Sequence, residues 1–354
     1  MTEATTSSLV TDAITYDAVL IVSFGGPEAP EEVVPFLENV LRGKPVPRER
    51  LLEVAEHYYH FGGVSPINAQ CRELIAALEA ELRRAEIPLP IYWGNRNWRP
   101  FLKDALQQMA DDGIRRALAF FTSAYSSYSG CRQYRENIAA AQAAVGPNAP
   151  AVDKLRMFYN HPEFILANAE RLQSALARLD RPVDEHTQLL FTAHSLPVAM
   201  SSRCDYVRQL TETCRLVVEA AAAEPPHPPL HDRWHLVYQS RSGRPSDPWL
   251  EPDIGDALRA AAAAGIRQVV VAPVGFLCDH MEVLYDLDYE ARQIAEQLGL
   301  RMVRASTVGT HPRFIAMIRQ LIEERLGRGE RRAIGQYGPS HDVCPVDCCL
   351  PPPR

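Results

Sequence analysis

Thr192-Ala193-His194-Ser195-Leu196-Pro197 sets a histidine directly after an apolar run that reads as a strand, and open α/β sheets gather their ligands at such strand ends. An imidazole in its neutral form takes up a proton near pH 7, and Pro197 would stop the strand and fix the turn. The second constellation is Asp279-His280-Met281-Glu282-Val283-Leu284-Tyr285-Asp286-Leu287-Asp288-Tyr289-Glu290, after an apolar run ending at Pro273. At about 100° per residue, Asp279, Glu282, Asp286 and Glu290 fall within about 80° of one another on a helix. Such a row repels itself by a few tenths of a kcal/mol per pair unless a cation or a proton intervenes. Carboxylates at staggered depth suit a divalent cation or departing protons. Alone, the histidine reads as a loop residue bonded to carbonyls and the row as a solvated acidic face. The row starts at a strand end, however, and the first half of the chain carries no counterpart, which favours function.

Cys344-Pro345-Val346-Asp347-Cys348-Cys349 places three thiols in a tail rich in Gly, Pro and Cys. Soft thiolates at this spacing suit zinc or an iron–sulfur cluster, with a further ligand from the body of the chain. The alternative is a loose cysteine-bearing tail. Cys71 and Cys278 read as small buried apolar residues.

Three other motifs are weak one at a time. Ser23-Phe24-Gly25-Gly26-Pro27 is a tight turn without the G-x-G-x-x-G spacing of a nucleotide loop. Phe61-Gly62-Gly63-Val64-Ser65-Pro66-Ile67 offers Ser65 as a helix N-cap, with Pro66 in the first helical position. Tyr238-Gln239-Ser240-Arg241 and Pro248-Trp249-Leu250-Glu251-Pro252 bring aromatic rings near an arginine, a combination that brackets a flat ligand with carboxylate arms.

These residues need a scaffold. Short β-branched runs at 18–24, 91–94, 117–122 and 154–158, then 188–192, 235–239, 268–273 and 301–304, alternate with helical periods. The helices are expected at 30–41, 48–59, 68–85, 101–112 and 132–144, then 205–222, 253–264, 282–298 and 312–326. The pattern predicts an α/β fold of two similar Rossmann-like halves, each a parallel sheet flanked by helices, with a ligand cleft between them. The divisions are a disordered leader (1–15), an N-terminal half (16–180), a C-terminal half with the catalytic residues (181–327) and a Cys-rich tail (328–354). Prolines 225, 226, 228 and 229 mark a loop over 223–233. The chain has 354 residues and a net charge of -7, which argues against nucleic acid as partner. No stretch approaches the roughly 20 apolar residues of a membrane span. A cytoplasmic location is expected, with thiols kept reduced, and a monomer is the simpler state.

Together and in this order, S-F-G-G-P, G-G-V-S-P-I, T-A-H-S-L-P, Q-S-R with P-W-L-E-P, and D-H-M-E-V-L-Y-D resemble the ferrochelatase family over about 16–326. The resemblance implies insertion of Fe(II), as substrate, into a porphyrin, with His194 and Glu282 catalytic and in contact with the metal, facing each other across the macrocycle. Asp286 and Glu290 would continue a metal or proton path. Porphyrin contacts would come from Phe24, Arg42, Arg48, Ser65, Tyr125 and Trp249. Some relatives carry a tyrosine at the place of Phe24, which cannot ligate. The lip at 39–50 is hydrophobic in membrane-associated relatives, whereas here it holds Arg42, Lys44, Arg48 and Arg50 with Pro45 and Pro47. A basic lip suits propionates, so coproporphyrin III, with four of them, is expected ahead of protoporphyrin IX, with two. The tail resembles that of members holding a [2Fe-2S] cluster, which implies Cys131, Cys344, Cys348 and Cys349 as ligands, with Cys204 and Cys214 as rivals to Cys131. A chelatase for another metal or tetrapyrrole, and a tetrapyrrole carrier without chemistry, remain the alternatives.

Overall fold

The computed structural model describes residues 15–43, 46–222, 232–242 and 247–352. The leader up to residue 14, lip residues Lys44 and Pro45, and residues 223–231 of the proline-marked loop lie outside them.

Among the described residues eight strands form, the inner ones as runs of Val, Ile, Leu, Ala and Phe and the edge ones with more polar residues. The first four are β1 (Ala18–Ser23), β2 (Ile91–Asn95), β3 (Arg116–Phe121) and β4 (Ala151–Lys154). The second four are β5 (Thr187–His194), β6 (Trp234–Gln239), β7 (Gln268–Ala272) and β8 (Arg301–Arg304). Every neighbouring pair is parallel, in the order β2-β1-β3-β4 and again β6-β5-β7-β8. Residues of β1 and β7 are buried throughout, as strands covered by helices on both faces require. In each sheet the chain first steps to one side of its opening strand and then to the other. The switch points therefore lie between β1 and β3 and between β5 and β7, where such sheets bind ligands.

The first half is covered by α1 (Val33–Val40), α2 (Arg48–His60), α3 (Ile67–Arg84), α4 (Leu102–Asp111) and α5 (Gln133–Val145), and α6 (Pro162–Leu176) leads into the second. There α7 (Val198–Ser201), α8 (Tyr206–Ala222), α9 (Ile254–Ala263), α10 (Met281–Val283), α11 (Arg292–Gln297) and α12 (Pro312–Arg325) follow. Two stretches are π-helical, Tyr128–Arg132 ahead of α5 and Leu284–Ala291 between α10 and α11.

Two expectations are corrected. The strand expected at 154–158 is β4, Ala151–Lys154, because its ladder to β3 ends at the Ala119–Lys154 pair. Leu155, Met157 and Phe158 beyond it are buried without being strand, so their apolarity reflects core rather than sheet. Helix α6 was not anticipated, although His161 caps it through Nδ1 and Pro162 opens it. One apolar cluster joins the halves, running from Ile21 and Phe120 through Phe158, Phe164 and Phe314 to Leu189 and Phe191.

Candidate active site

His194 is the last residue of β5, and Glu282 lies in the helical turn that follows β7, so the pair straddles the switch point of the second sheet. Gly275 sets their separation. Its N–H donates to the Thr192 carbonyl at 3.0 Å, and a Cβ there would come within 2.5 Å of Ala193 Cα. The His194 carbonyl accepts from the buried Tyr206 hydroxyl at 3.0 Å. Ser195 Oγ donates to Leu250 O at 2.9 Å and Leu250 N donates to Leu196 O at 2.9 Å.

Nδ1 of His194 lies 2.5 Å from Ser195 O, an acceptor, so Nδ1 carries a proton. Nε2 then faces Glu282 Oε1 at 3.6 Å. The side chains are 30% and 46% exposed, so both reach solvent. Burial works against an imidazolium here, but the Glu282 carboxylate and the hydrogen bond to it prevail and raise the His194 pKa. Burial likewise opposes the Glu282 charge, and His194 overcomes it, lowering the carboxyl. The resting site is an imidazolium–carboxylate pair. Groups on opposite faces of a flat ring must stand roughly 7 Å apart, twice the ~3.5 Å contact distance. At 3.6 Å no macrocycle fits between these two, which corrects the expectation that they face each other across it.

The acidic row is shorter than expected. Asp279 precedes the helix and pairs with Arg304 at 3.0 Å, which also holds Asp288 at 2.7 Å. Glu282, Asp286 and Glu290 remain, on a run that is π-helical from Leu284, a geometry frequent at functional sites. Burial, with Glu282 and Glu290 nearby, pushes Asp286 up to about 7 despite the Ser240 hydroxyl donating to it. Burial also raises Glu290. Ser240 and Gln239, whose Nε2 donates to Glu282 O at 3.1 Å, were not singled out as site residues from sequence. Their signal is position, at the C-terminal end of the strand beside His194. Ser240 holds its hydroxyl on Asp286 with φ at 61°, unusual for a residue with a Cβ.

Residues 16–326 match the family model described as Ferrochelatase.

The chain belongs to the ferrochelatase family. A ferrochelatase of Rhodopirellula baltica is 57% identical over 96% of this chain and 95% of its own length. The coproporphyrin III ferrochelatase of Streptomyces coelicolor is 50% identical over 96% and 95%. In fold alone, SirB from Bacillus subtilis with Fe3+ superposes with a TM-score of 0.53 at 11% identity, covering 89% of this chain and 99% of that one. As a ferrochelatase, the chain inserts iron into a porphyrin, a lyase step of heme synthesis.

The ferrochelatase cleft takes up the expected porphyrin contacts unevenly. Phe24, just beyond β1, packs edge-on against Phe36 with centroids 6.2 Å apart, and the Arg96 guanidinium stands 5.8 Å from its centroid. Arg42 and Arg96 line a groove of about 520 Å³ with Lys103 and Asn137. Arg48 lies outside that groove, in an exposed pair with Glu38 at 3.1 Å. Ser65 is buried beside Gly26, and it is not the N-cap expected of it, because the helix starts at Ile67 with Pro66 in the cap position; Ser65 Oγ lies 3.5 Å from Ile67 N. Trp249 is only 9% exposed and bridges Pro197, so it supports the His194 loop. Tyr125 is withdrawn from the set, since it is buried and its hydroxyl donates to Val274 O at 2.8 Å. His57 of α2 stacks on Tyr285 at 3.7 Å and His60 lies 4.2 Å from Tyr289, closing the first half's rim onto the acidic helix.

The tail forms a thiol knot. Cys131, buried in the first π-helical turn, belongs to the apolar cluster against which Cys344 packs, with the Cys349 thiol nearby. Cys348 Sγ lies 3.5 Å from Cys349 Sγ. Of the rivals, Cys214 is fully buried in the core and Cys204 donates to the Met200 and Ser201 carbonyls. Arg132 donates to Val346 O at 2.7 Å and Cys348 O at 3.1 Å, Asn160 to Tyr337 O at 2.7 Å, and Gln336 N to Glu212 at 2.7 Å.

Proposed function

We propose that this ferrochelatase metalates coproporphyrin III, with His194 and Glu282 working together from one face of the ring. The carrying observation is the His194–Glu282 pair at 3.6 Å on the switch point of the second sheet. Two pyrrole protons leave for each ferrous ion that enters, so the site needs both a base and an outlet. At rest Glu282 keeps His194 protonated. A ferrous ion drawn to the Glu282 carboxylate competes for that charge, the His194 proton passes to the ionised Asp286 carboxylate, and neutral Nε2 then accepts a pyrrole proton; the second pyrrole proton follows the same route once Asp286 has released the first. Asp286, poised at about 7, is matched to receive protons at neutral pH and pass them toward Glu290.

The choice of porphyrin is supported by a groove in which Arg42, Arg96 and Lys103 outnumber the one carboxylate, Asp104, a balance that favours additional propionates, and by relatives at 48–52% identity described as coproporphyrin III ferrochelatases. The charged lip, with Arg42, Arg48 and Arg50 exposed, favours work in the cytoplasm, away from a bilayer. Among the described residues, no helix is long and apolar enough to cross a membrane.

The converging thiols of Cys131, Cys344, Cys348 and Cys349 fit a [2Fe-2S] cluster, which when bound supplies a one-electron centre. The residues themselves would tie the tail to the turn before α5.

The test of the pair is anaerobic Fe(II) insertion into coproporphyrin III by the wild type and by His194→Ala. The variant should lose 10²- to 10⁴-fold in kcat, about the worth of a positioned acid–base group, while still binding the porphyrin. Turnover of the variant at the wild-type rate would overturn the assignment.

A further inference from the structure

The thiol knot has a fifth donor that a four-thiol cluster leaves over. His341 Nε2 lies 3.8 Å from Cys348 Sγ, and the ligand atoms of His341, Cys344 and Cys348 all lie within 4.8 Å of one another. We propose that His341, Cys344 and Cys348 form a mononuclear site for a thiophilic divalent cation of the zinc type, occupied as an alternative to the cluster. The proposal rests on reading the tail as a metal-binding segment.

Three observations carry it. Donors on one tetrahedral zinc, at ~2.0–2.3 Å from the metal, stand roughly 3.5–3.8 Å apart, and the Cys348–His341 and Cys348–Cys349 separations are 3.8 Å and 3.5 Å. A [2Fe-2S] cluster takes its four ligands in two pairs, one pair on each iron, whereas His341, Cys344 and Cys348 gather three donor atoms within 4.8 Å of one another, as a single ion requires. The donors are also layered, with Cys131 and Cys349 buried, Cys344 and Cys348 half-buried and His341 exposed. The trio can thus meet a free cation from solvent without the tail unfolding. Last, the backbone around the histidine is tied down, with Lys154 Nζ donating to His341 O at 3.2 Å and Arg331 pairing with Asp342 at 2.7 Å. Cys349, beside Cys348, is the nearest fourth donor. A mixed nitrogen and sulfur set of this kind prefers zinc or cobalt to calcium or magnesium. Loading would release thiol protons, and it would exclude the cluster, since Cys344 and Cys348 serve both.

The experiment uses the full chain stripped of metal and titrated anaerobically with Co(II), then with Zn(II). One Co(II) per chain is expected, with thiolate-to-cobalt charge-transfer absorption and the visible bands of tetrahedral geometry, displaced by zinc. His341→Ala should weaken Co(II) binding by at least the ~10–100-fold that loss of a supporting partner costs. It should leave iron and acid-labile sulfide after reconstitution at wild-type levels. A wild-type chain that shows no thiolate–cobalt band, or a His341→Ala chain that binds Co(II) as tightly as wild type, would overturn the proposal. If reconstitution with iron and sulfide succeeds while Co(II) fails, only the mononuclear site falls. If both fail, the reading of the tail as metal-binding falls with it.

Discussion

Asp286 is the residue whose protonation answers most directly to neutral pH. Its pKa stands near 7, above the ordinary 3.8, chiefly through burial. Below that value it already carries a proton and cannot take another, so kcat should climb as pH rises through about 7 and then level. Asp286→Asn should abolish that inflection and lower the plateau about tenfold, read from an initial-rate pH profile. The linkage runs the other way for stability. The folded state holds this proton more tightly than the unfolded chain, so the group's contribution falls as pH rises from about 4 to 7. Denaturant unfolding at pH 8 should therefore find Asp286→Asn at least as stable as wild type. At this scale the sequence was informative where chemistry and position coincide. His194, Glu282 and Asp286 stood out because a base and a carboxylate row both followed strand ends. Asp279 misled, because its partner Arg304 lies 25 residues away on β8, a distance that helical spacing does not register. Tyr125 misled because nothing local distinguishes a ligand-facing tyrosine from one bonded to Val274 in the other half.

At the scale of elements, both π-helical stretches carry residues proposed for the chemistry, one Cys131 and the other Asp286 and Glu290. Sequence spacing predicts a plain α-helix for the second, since the shift from i→i+4 to i→i+5 hydrogen bonds over eight residues is not written in the residue types. The inner strand runs were legible because parallel strands covered on both faces are apolar throughout, whereas Leu155, Met157 and Phe158, interleaved with Lys154 and Arg156, are apolar because they are buried beyond the end of a ladder. The closeness of the β5 and β7 ends depends on Gly275, which a sequence shows only as one glycine among several. Gly275→Ala would force its Cβ against Ala193, at 2.5 Å from Cα. The expected outcome is about 1–3 kcal/mol of lost stability, with kcat reduced ~10²-fold, the effect of roughly 1 Å of misplacement. A Gly275→Ala enzyme with normal kcat would show that the loop does not set the pair's separation.

The molecule as a whole is less divisible than its repeated strand order suggests. Arg156, 2% exposed, makes two 2.8 Å contacts to Glu324 of α12 and donates to Arg332 O at 2.7 Å. One buried arginine of the first half thus fastens the last helix and the start of the tail. These ties between distant segments are invisible to periodicity, which is why two halves could be read from sequence while their shared core and strapped tail could not. The proposed substrate site is likewise composite, since the basic groove belongs to the first half and the His194–Glu282 pair to the second. Substrate choice therefore tests the whole arrangement. The decisive measurement is kcat/KM for Fe(II) insertion into coproporphyrin III and protoporphyrin IX, measured side by side under anaerobic conditions. The arginine-lined groove should give coproporphyrin III an advantage of at least ~10-fold, about the 1.4 kcal/mol of one charge-assisted contact. Equal values, or faster metalation of protoporphyrin IX, would contradict it.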